Sequence, residues 1–366
     1  MNISLADPEW QLLLQFLPAK WEQWARDYGA LTRARKIANA ETLLRLLLLH
    51  VAGGLSLRQT AVRAREHGLA EISDVALLKR LCSADRWLER ICEGLVLCNG
   101  RASAWPAWCR GFRLRAVDSS IVKEQGAKGS QWRVHYSICL PSRLCDFFEV
   151  TGHKTGESLN RFPVQEADLL LADRGFCRAA DLAYVQGLKA HYVVRLHSTS
   201  LPLTNRRGQN FDLLAAVGQL QGYTVGQWLV GFAHAGQGYR ARLCAVRRSP
   251  ASAKREKALV LEAARTHGQQ ASAARLELAQ YVLLLTSLEE KSLSATRVLQ
   301  LYRIRWQIEL AFKRLKSLLG LGLLPKYDPR SARAWLQAKL LTALLIERLL
   351  IESEMFSPWG FELSEG

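Results

Sequence analysis

Two aspartates in this chain lie where they could hold a metal ion. Asp118 follows the apolar run LRAV and Asp173 follows LLLA, so each comes where a buried strand is expected to end. Sites in open α/β sheets form at the carboxyl ends of strands. A buried ionised Asp needs a compensating charge, and Mg²⁺ supplies one because it prefers oxygen ligands. Taken alone, each Asp is more typical of a helix N-cap or a turn.

A third acidic residue, Glu309, lies in the basic segment YRIRWQIELAFKRLK, residues 302–316, which has five Arg or Lys and one acid. At 100° per residue, one helical arc of about 80° holds five of its side chains. These are Tyr302, Arg305, Glu309, Lys313 and Lys316. The opposite arc is apolar and holds Ile304, Ile308, Ala311, Phe312, Leu315, Leu318 and Leu319. The spacing alone is equally typical of a solvated face with ion pairs between neighbouring turns.

Together the three carboxylates indicate phosphoryl-transfer chemistry. Two divalent cations about 3.5–4 Å apart can clamp the attacking and leaving oxygens of an in-line displacement. The cations on the Glu309 face would then hold the phosphates beside the scissile one. This interpretation explains why a single carboxylate lies among so much positive charge.

The charge balance indicates a polyanionic partner. Fifty Lys and Arg against 33 Asp and Glu give a net charge of +17, which favours nucleic acid. The longest apolar run, from Leu43, is broken by Arg45 and His50 and is too short to span a membrane. The N-terminal residues show no signal-peptide pattern. None of the eight cysteines has C-x-x-C spacing, so we expect free thiols in a reducing cytoplasm.

The first 100 residues have mostly helical spacing. Residues 57–66 and about 73–82 form a helix–turn–helix-like pattern with Gly68 as the break. The second helix could touch DNA through Lys79 and Arg80. A plain helical bundle is at least as consistent with the pattern.

Strand signals begin near residue 112 and predict a mixed α/β sheet. Two antiparallel strands, a short buried strand, a helix and a further strand follow in order up to residue 197. Residues 198–280 alternate short strand-like pieces with Gly-rich turns, which predicts a mostly β insertion. A helix is also possible at about 256–278. A buried strand at 281–287 precedes one long helix, roughly 294–319, with Ser294 as a possible N-cap, and a last helix closes the chain.

The residues resemble a known family. Tyr302, Arg305, Glu309 and Lys316 match the Y-(2)-R-(3)-E-(6)-K signature of the DDE transposases of bacterial insertion sequences, in the group called insertion-sequence family four. AVDSS resembles the first-aspartate motif of that family, LLADRGF the second, and WRVHYSICL the segment after the first Asp. The resemblance covers roughly residues 105–325.

Membership implies an RNase H-like catalytic core interrupted by a β insertion domain, after a helical N-terminal DNA-binding domain. The implied division is 1–104 for the N-terminal domain, 105–197 and 281–366 for the core with its C-terminal helices, and 198–280 for the insertion. Asp118, Asp173 and Glu309 would be catalytic metal ligands for Mg²⁺, which Mn²⁺ could replace. Tyr302, Arg305, Lys313 and Lys316 would contact DNA phosphates.

The implied activity is cleavage at a transposon end and attack of the freed 3′-OH on target DNA, with a hairpin intermediate as a family expectation. The implied partners are double-stranded DNA ends and target, held by a homodimer near the nucleoid. Two other readings remain open: an RNase H-like nuclease that cuts without joining, and an inactive, domesticated DNA-binding protein.

Four further residues have two readings each. Trp306 could stack on a base, although a core position is favoured. Trp228 is a candidate stacking residue in the insertion. His135 is better read as a satisfied strand histidine. Glu157 could add an acidic group to the site, although a surface loop is favoured.

Overall fold

The computed structural model describes residues 8–33, 36–97, 107–109, 111–124, 126, 132–140, 142–266, 268–325 and 328–355. The N-terminal region is helical, as predicted. Its helices are α1 (Pro8–Gln15), α2 (Trp21–Asp27), α3 (Ala40–Val51), α4 (Leu57–Glu66), α5 (Asp74–Ser83) and α6 (Asp85–Leu97).

Local capping explains where α4 and α5 begin. The Ser56 side chain accepts from the Gln59 backbone N–H while the Gln59 side chain accepts from the Ser56 N–H, which forms a capping box. Ser73 caps α5 by accepting from the Ala76 N–H. The predicted pair of helices is therefore confirmed.

The centre of the molecule is one mixed sheet in the order β3-β2-β1-β4-β5-β8-β7-β6, with β9 paired to β1. Its strands are β1 (Arg113–Glu124), β2 (Trp132–Cys139), β3 (Leu144–Gly152), β4 (Asp168–Ala172), β5 (His191–Arg195), β6 (Gly226–His234), β7 (Gln237–Arg247), β8 (Tyr281–Thr286) and β9 (Leu323–Leu324). β1, β4 and β5 run parallel, whereas β1–β2–β3 form an antiparallel meander. This β3-β2-β1-β4-β5 half is the expected RNase H-like core.

Both faces of the sheet are covered. In β4, Leu169 and Leu171 face the core that contains the N-terminal and C-terminal helices. Leu170 and Ala172 face a second core with α7 (Ala179–Gly187). Burial on both faces explains the continuous apolar run LLLA.

The insertion is more helical than predicted. Its two strands, β6 and β7, form a hairpin that extends the central sheet through β8. Between residues 198 and 280 the structure also has α8 (Leu213–Gly218), α9 (Pro250–Thr266) and α10 (Ala273–Leu278).

Three helices follow β8: α11 (Ala295–Ile304), α12 (Trp306–Ser317) and α13 (Pro329–Met355). α13 packs against α3, α5 and α6 as well as β3. One hydrophobic cluster therefore runs from Trp87 of α6 through Trp335 of α13 to Leu114 of β1. Among the helices that the structure describes, none combines the length and apolarity needed to cross a bilayer.

Candidate active site

The two aspartates are brought together by neighbouring parallel strands. β4 pairs with β1 up to Ala116↔Leu171, and the same register continued by two residues places Asp118 beside Asp173. The prediction that β1 ends at Asp118 is wrong, because β1 continues to Glu124 with β2 as its partner. What ends there is the parallel pairing with β4, so both aspartates still lie at the carboxyl edge of that pairing.

Asp118 carries a poorly compensated negative charge. Its Oδ1 accepts the Ser119 backbone N–H at 2.7 Å. Burial, followed by the charges of Asp173 and Glu157, raises the pKa of Asp118 to about 7, against the Ser119 hydrogen bond and the charge of Arg305. A buried carboxylate beside two other acids favours a bound cation.

Asp173 is also a cap. Its Oδ1 accepts the Gly175 N–H at 2.7 Å and so caps the 3₁₀ turn Arg174–Phe176. Asp173 can therefore cap the turn and also bind a metal ion, since its Oδ2 is not needed for the cap.

The predicted single helix over 294–319 is two helices. Ser294 caps α11 as predicted, by accepting the Arg297 N–H. Arg305 ends α11 and precedes α12, with φ −52° and ψ −28°. Arg305 keeps right-handed helical angles, so the chain does not reverse there, and the basic face is divided between two helices.

Glu309 lies in the first turn of α12 and forms an ion pair with Arg305. Its side chain is 56% exposed, against 13% for Arg305. Within the described residues, no group of three or more His, Cys, Asp or Glu side chains is placed to hold a metal ion. The structure therefore brings Asp118 and Asp173 together, whereas Glu309 is not grouped with them and pairs with Arg305 instead.

The donor set nonetheless fits a divalent cation. All three side chains offer carboxylate oxygens, which suit Mg²⁺ and Mn²⁺. The charge of Arg305 acts on Asp118 as well as on Glu309, so this guanidinium lies between the predicted ligands. Its Nε is buried and has no hydrogen-bond partner among the described residues.

The other signature residues lie along the same surface. The Arg305 guanidinium lies 5.5 Å from the centre of the Tyr302 ring. Lys313 and Lys316 are exposed. Trp306 was favoured as a core residue, and this is wrong: it is 51% exposed. At 100° per residue, Trp306 falls beside the basic arc and away from the apolar one, which agrees with this exposure.

Glu157 lies in a loop, as sequence reasoning favoured, but its side chain is only 27% exposed and adjoins the site. Its Oε1 accepts from the Ser119 hydroxyl at 2.7 Å and from Arg133 Nη1 at 2.8 Å. The neighbouring motif TGHKTGES contained the residue but gave no signal of its partners, which are 38 and 24 residues away.

A cluster of arginines beside the site was also missed. Glu256 of α9 forms ion pairs with Arg174 at 2.8 Å, with Arg195, and with Arg248 at 3.6 Å. Burial, followed by the charge of Arg195, lowers the pKa of Arg248 despite Glu256. The position of Arg174 directly after Asp173 was the available signal.

Three other predicted residues have plain environments. His135 is buried on β2, with Nε2 3.0 Å from the Thr151 hydroxyl, but its Nδ1 has no hydrogen-bond partner among the described residues, so the predicted histidine is only half satisfied. Trp228 packs on Phe211 at 6.4 Å between ring centres. Arg80 donates to backbone carbonyls of Ala30 and Arg33 and is thus committed within the fold. The cysteines in the described segments are free thiols, and Cys98 lies outside them.

Comparisons with known proteins identify the family of the chain. The family model described as "Transposase DDE domain" matches residues 149–345. The transposase for insertion sequence element IS421 of Escherichia coli is 38% identical, over 98% of both chains. The InsL protein of element IS186A of Escherichia coli K12 has the same identity and coverage.

One solved structure, a piggyBac transposase synaptic complex with hairpin DNA, aligns with 94% of this chain and with 74% of the piggyBac chain. The TM-score is 0.47 and the sequence identity 9%, so the likeness is too distant to support an argument. The match over more than half of the chain and the full-length relatives show that this chain belongs to the DDE transposases of bacterial insertion sequences.

Proposed function

We propose that this chain cuts the end of an insertion sequence and joins the freed 3′-OH to target DNA, with Asp118, Asp173 and Glu309 as its metal ligands. The observation that supports this assignment most directly is the pair Asp118 and Asp173 at the end of the β1–β4 pairing, with a poorly compensated charge. Mg²⁺ is the proposed ion, and Mn²⁺ could replace it. When bound, two such ions lower the pKa of the attacking hydroxyl and stabilise the leaving oxygen.

The signature residues place the DNA backbone. Tyr302, Arg305, Lys313 and Lys316 line the surface beside Glu309 and would hold the phosphates next to the scissile one. A phosphate gives Arg305 a bidentate partner, so binding DNA would draw this guanidinium away from Glu309. The freed carboxylate could then turn towards Asp118 and Asp173.

The arginine cluster would hold a further phosphate. Arg174, Arg195 and Arg248 share the single carboxylate of Glu256, which leaves an excess of positive charge. Arg174 adjoins Asp173 in the chain, so a phosphate held here would be close to the cut.

The helical region would recognise the double-stranded ends. Arg58 and Arg65 of α4 and Lys79 of α5 are exposed, as phosphate contacts need to be. Joining two ends requires two active sites, so we propose a homodimer on DNA, acting in the cytoplasm at the nucleoid.

The test uses the full chain, Mg²⁺ or Mn²⁺, and DNA that carries the element's ends. The wild type should nick the ends and then join them to target DNA, and denaturing gels would reveal any hairpin product. Glu309→Gln should bind the DNA but lose both steps.

The matched control is Glu93→Gln, because Arg90–Glu93 is also an exposed helical ion pair. Cleavage without joining would favour the nuclease reading. Full activity of Glu309→Gln would overturn its assignment as a ligand.

A further inference from the structure

Glu157 contacts the segment that carries Asp118. Its Oε1 accepts from the Ser119 hydroxyl and from Arg133, and Arg133 Nη1 also donates to the same hydroxyl at 2.9 Å. Ser119 is the residue whose N–H holds Asp118. Three polar groups thus fix the backbone next to Asp118.

The other oxygen of Glu157 lies against the segment that carries Asp173. A Cβ added to Gly175 would lie 2.2 Å from Glu157 Oε2 and 3.1 Å from Asp173 Oδ1. Gly175 is the residue whose N–H holds Asp173. Only a residue without a side chain allows this approach, so Glu157 touches both of the residues that orient the aspartates.

The position of Glu157 is itself fixed. The next two residues bond to Asp181 in the first turn of α7: the Ser158 hydroxyl and the Leu159 N–H both donate to Oδ1, the latter at 3.1 Å. Ser119 and Asp118 alternate across β1, so Glu157 supports the strand from the face opposite the Asp118 side chain. From there it can orient Asp118 without taking its place on a metal.

An ordinary surface ion pair does not describe this arrangement. The Arg133 and Glu157 side chains are 16% and 27% exposed, and Glu157 has a second donor in Ser119. Another acid near Asp118 is also unfavourable by itself. Its presence is understandable if it orients groups that a cation later neutralises.

We propose that Glu157 is a positioning residue, which holds the Asp118–Ser119 strand and the Asp173–Gly175 turn at the separation that lets both aspartates share a metal ion. This inference rests on the proposed function. Residues that orient metal ligands typically change metal affinity or activity by about 10–100-fold when they are replaced.

The first test measures Mn²⁺ binding by calorimetry, on the full chain with DNA that is already cut. Glu157→Gln and Glu157→Ala should both weaken binding within about 10–100-fold, with Ala at the upper end, while DNA affinity stays unchanged. Excess Mn²⁺ should restore the cleavage rate, which a merely misfolded protein would not show.

The control is Glu149→Gln, since Glu149 of β3 also pairs with an arginine, Arg161. If Glu157→Ala does not melt cooperatively, Glu157→Gln decides alone. Wild-type Mn²⁺ affinity in the folded Glu157 variants would overturn the inference.

The second test uses the close approach at Gly175. Gly175→Ala alone should weaken Mn²⁺ binding, because its methyl group would displace Glu157. The double variant Glu157→Ala/Gly175→Ala should bind no more weakly than Glu157→Ala. Fully additive losses would show that the two residues act separately and would overturn the inference.

Asp118→Asn separates this inference from the proposed function. If it loses Mn²⁺ binding while the Glu157 variants keep it, only the role of Glu157 is wrong. If Asp118→Asn keeps Mn²⁺ binding and cleavage, the ligand assignment itself fails.

Discussion

Asp118 and Glu347 are two partly buried carboxylates in different surroundings. Burial is the main reason that the pKa of each is raised to about 7. Glu347, on α13, accepts from the Cys145 N–H at 3.2 Å and the Tyr136 hydroxyl at 3.3 Å. Asp118 has the charges of Asp173 and Glu157 nearby.

The difference shows that a raised pKa does not by itself identify a functional acid. Tyr136 of β2 is the register partner of Asp118 and also donates to Glu347, so both carboxylates adjoin the same strand. Glu347 finds neutral donors and joins α13 to the sheet. Asp118 finds other acids, an arrangement that a cation would complete.

The largest expected effect separates the two acids by activity. Asp118→Asn should reduce cleavage by at least about 10³-fold without lowering stability at pH 8, because it removes a poorly compensated charge. Glu347→Gln should change cleavage only a few-fold. Cleavage rates on end DNA would check the two activities, and urea unfolding would check the stability. Equal losses of activity in the two variants would contradict the distinction between the two acids.

A smaller effect is expected at Arg305. Arg305→Ala should weaken phosphate placement by about 1–3 kcal/mol, measured as kcat/KM on end DNA. Without DNA the same variant should bind Mn²⁺ more tightly than the wild type, since Glu309 loses its partner. Weaker Mn²⁺ binding without DNA would contradict the view that Arg305 holds Glu309 apart.

The smallest effect concerns pH. Because the folded pKa of Glu347 lies above its ordinary value of 4.5, its protonated form favours folding, and the free energy of unfolding should fall as pH rises from about 4.5 to 7. Glu347→Gln should remove this loss and be roughly 1–3 kcal/mol more stable than the wild type at pH 8.

Cleavage at limiting Mg²⁺ should fall below about pH 7 in both proteins, because protons compete at Asp118. Urea unfolding and rate profiles from pH 4 to 8 would check this. A pH–rate profile that shifts in Glu347→Gln would show that Glu347 also affects cleavage, which would contradict the distinction between the two acids.

The sequence predicted what depends on local spacing. The apolar run before Asp173 marked β4 because it is buried on both faces, and Ser73 and Ser294 marked helix starts because capping involves only nearby residues. The two aspartates proposed as catalytic and Glu309 were selected by their positions in motifs.

What the sequence did not predict depends on distant partners. The length of β1 is set by β2 and β9, so LRAV alone suggested an early end. No Pro or Gly near Arg305 indicates the helix break there. The neighbours of Glu157 come from two other strands and a turn, and no periodicity within the loop could reveal them.

The shared core of α6, α13 and β1 restricts how such an enzyme can acquire new end sequences. If the first 97 residues were replaced by those of another element's protein, the helices packed around Trp335 would no longer match it. A large apolar surface would then be exposed to water. Modular swapping is therefore a poor evolutionary route here. Because α4 and α5 are the helices proposed to contact the DNA ends, point changes on their outer sides are the expected route to a new end sequence.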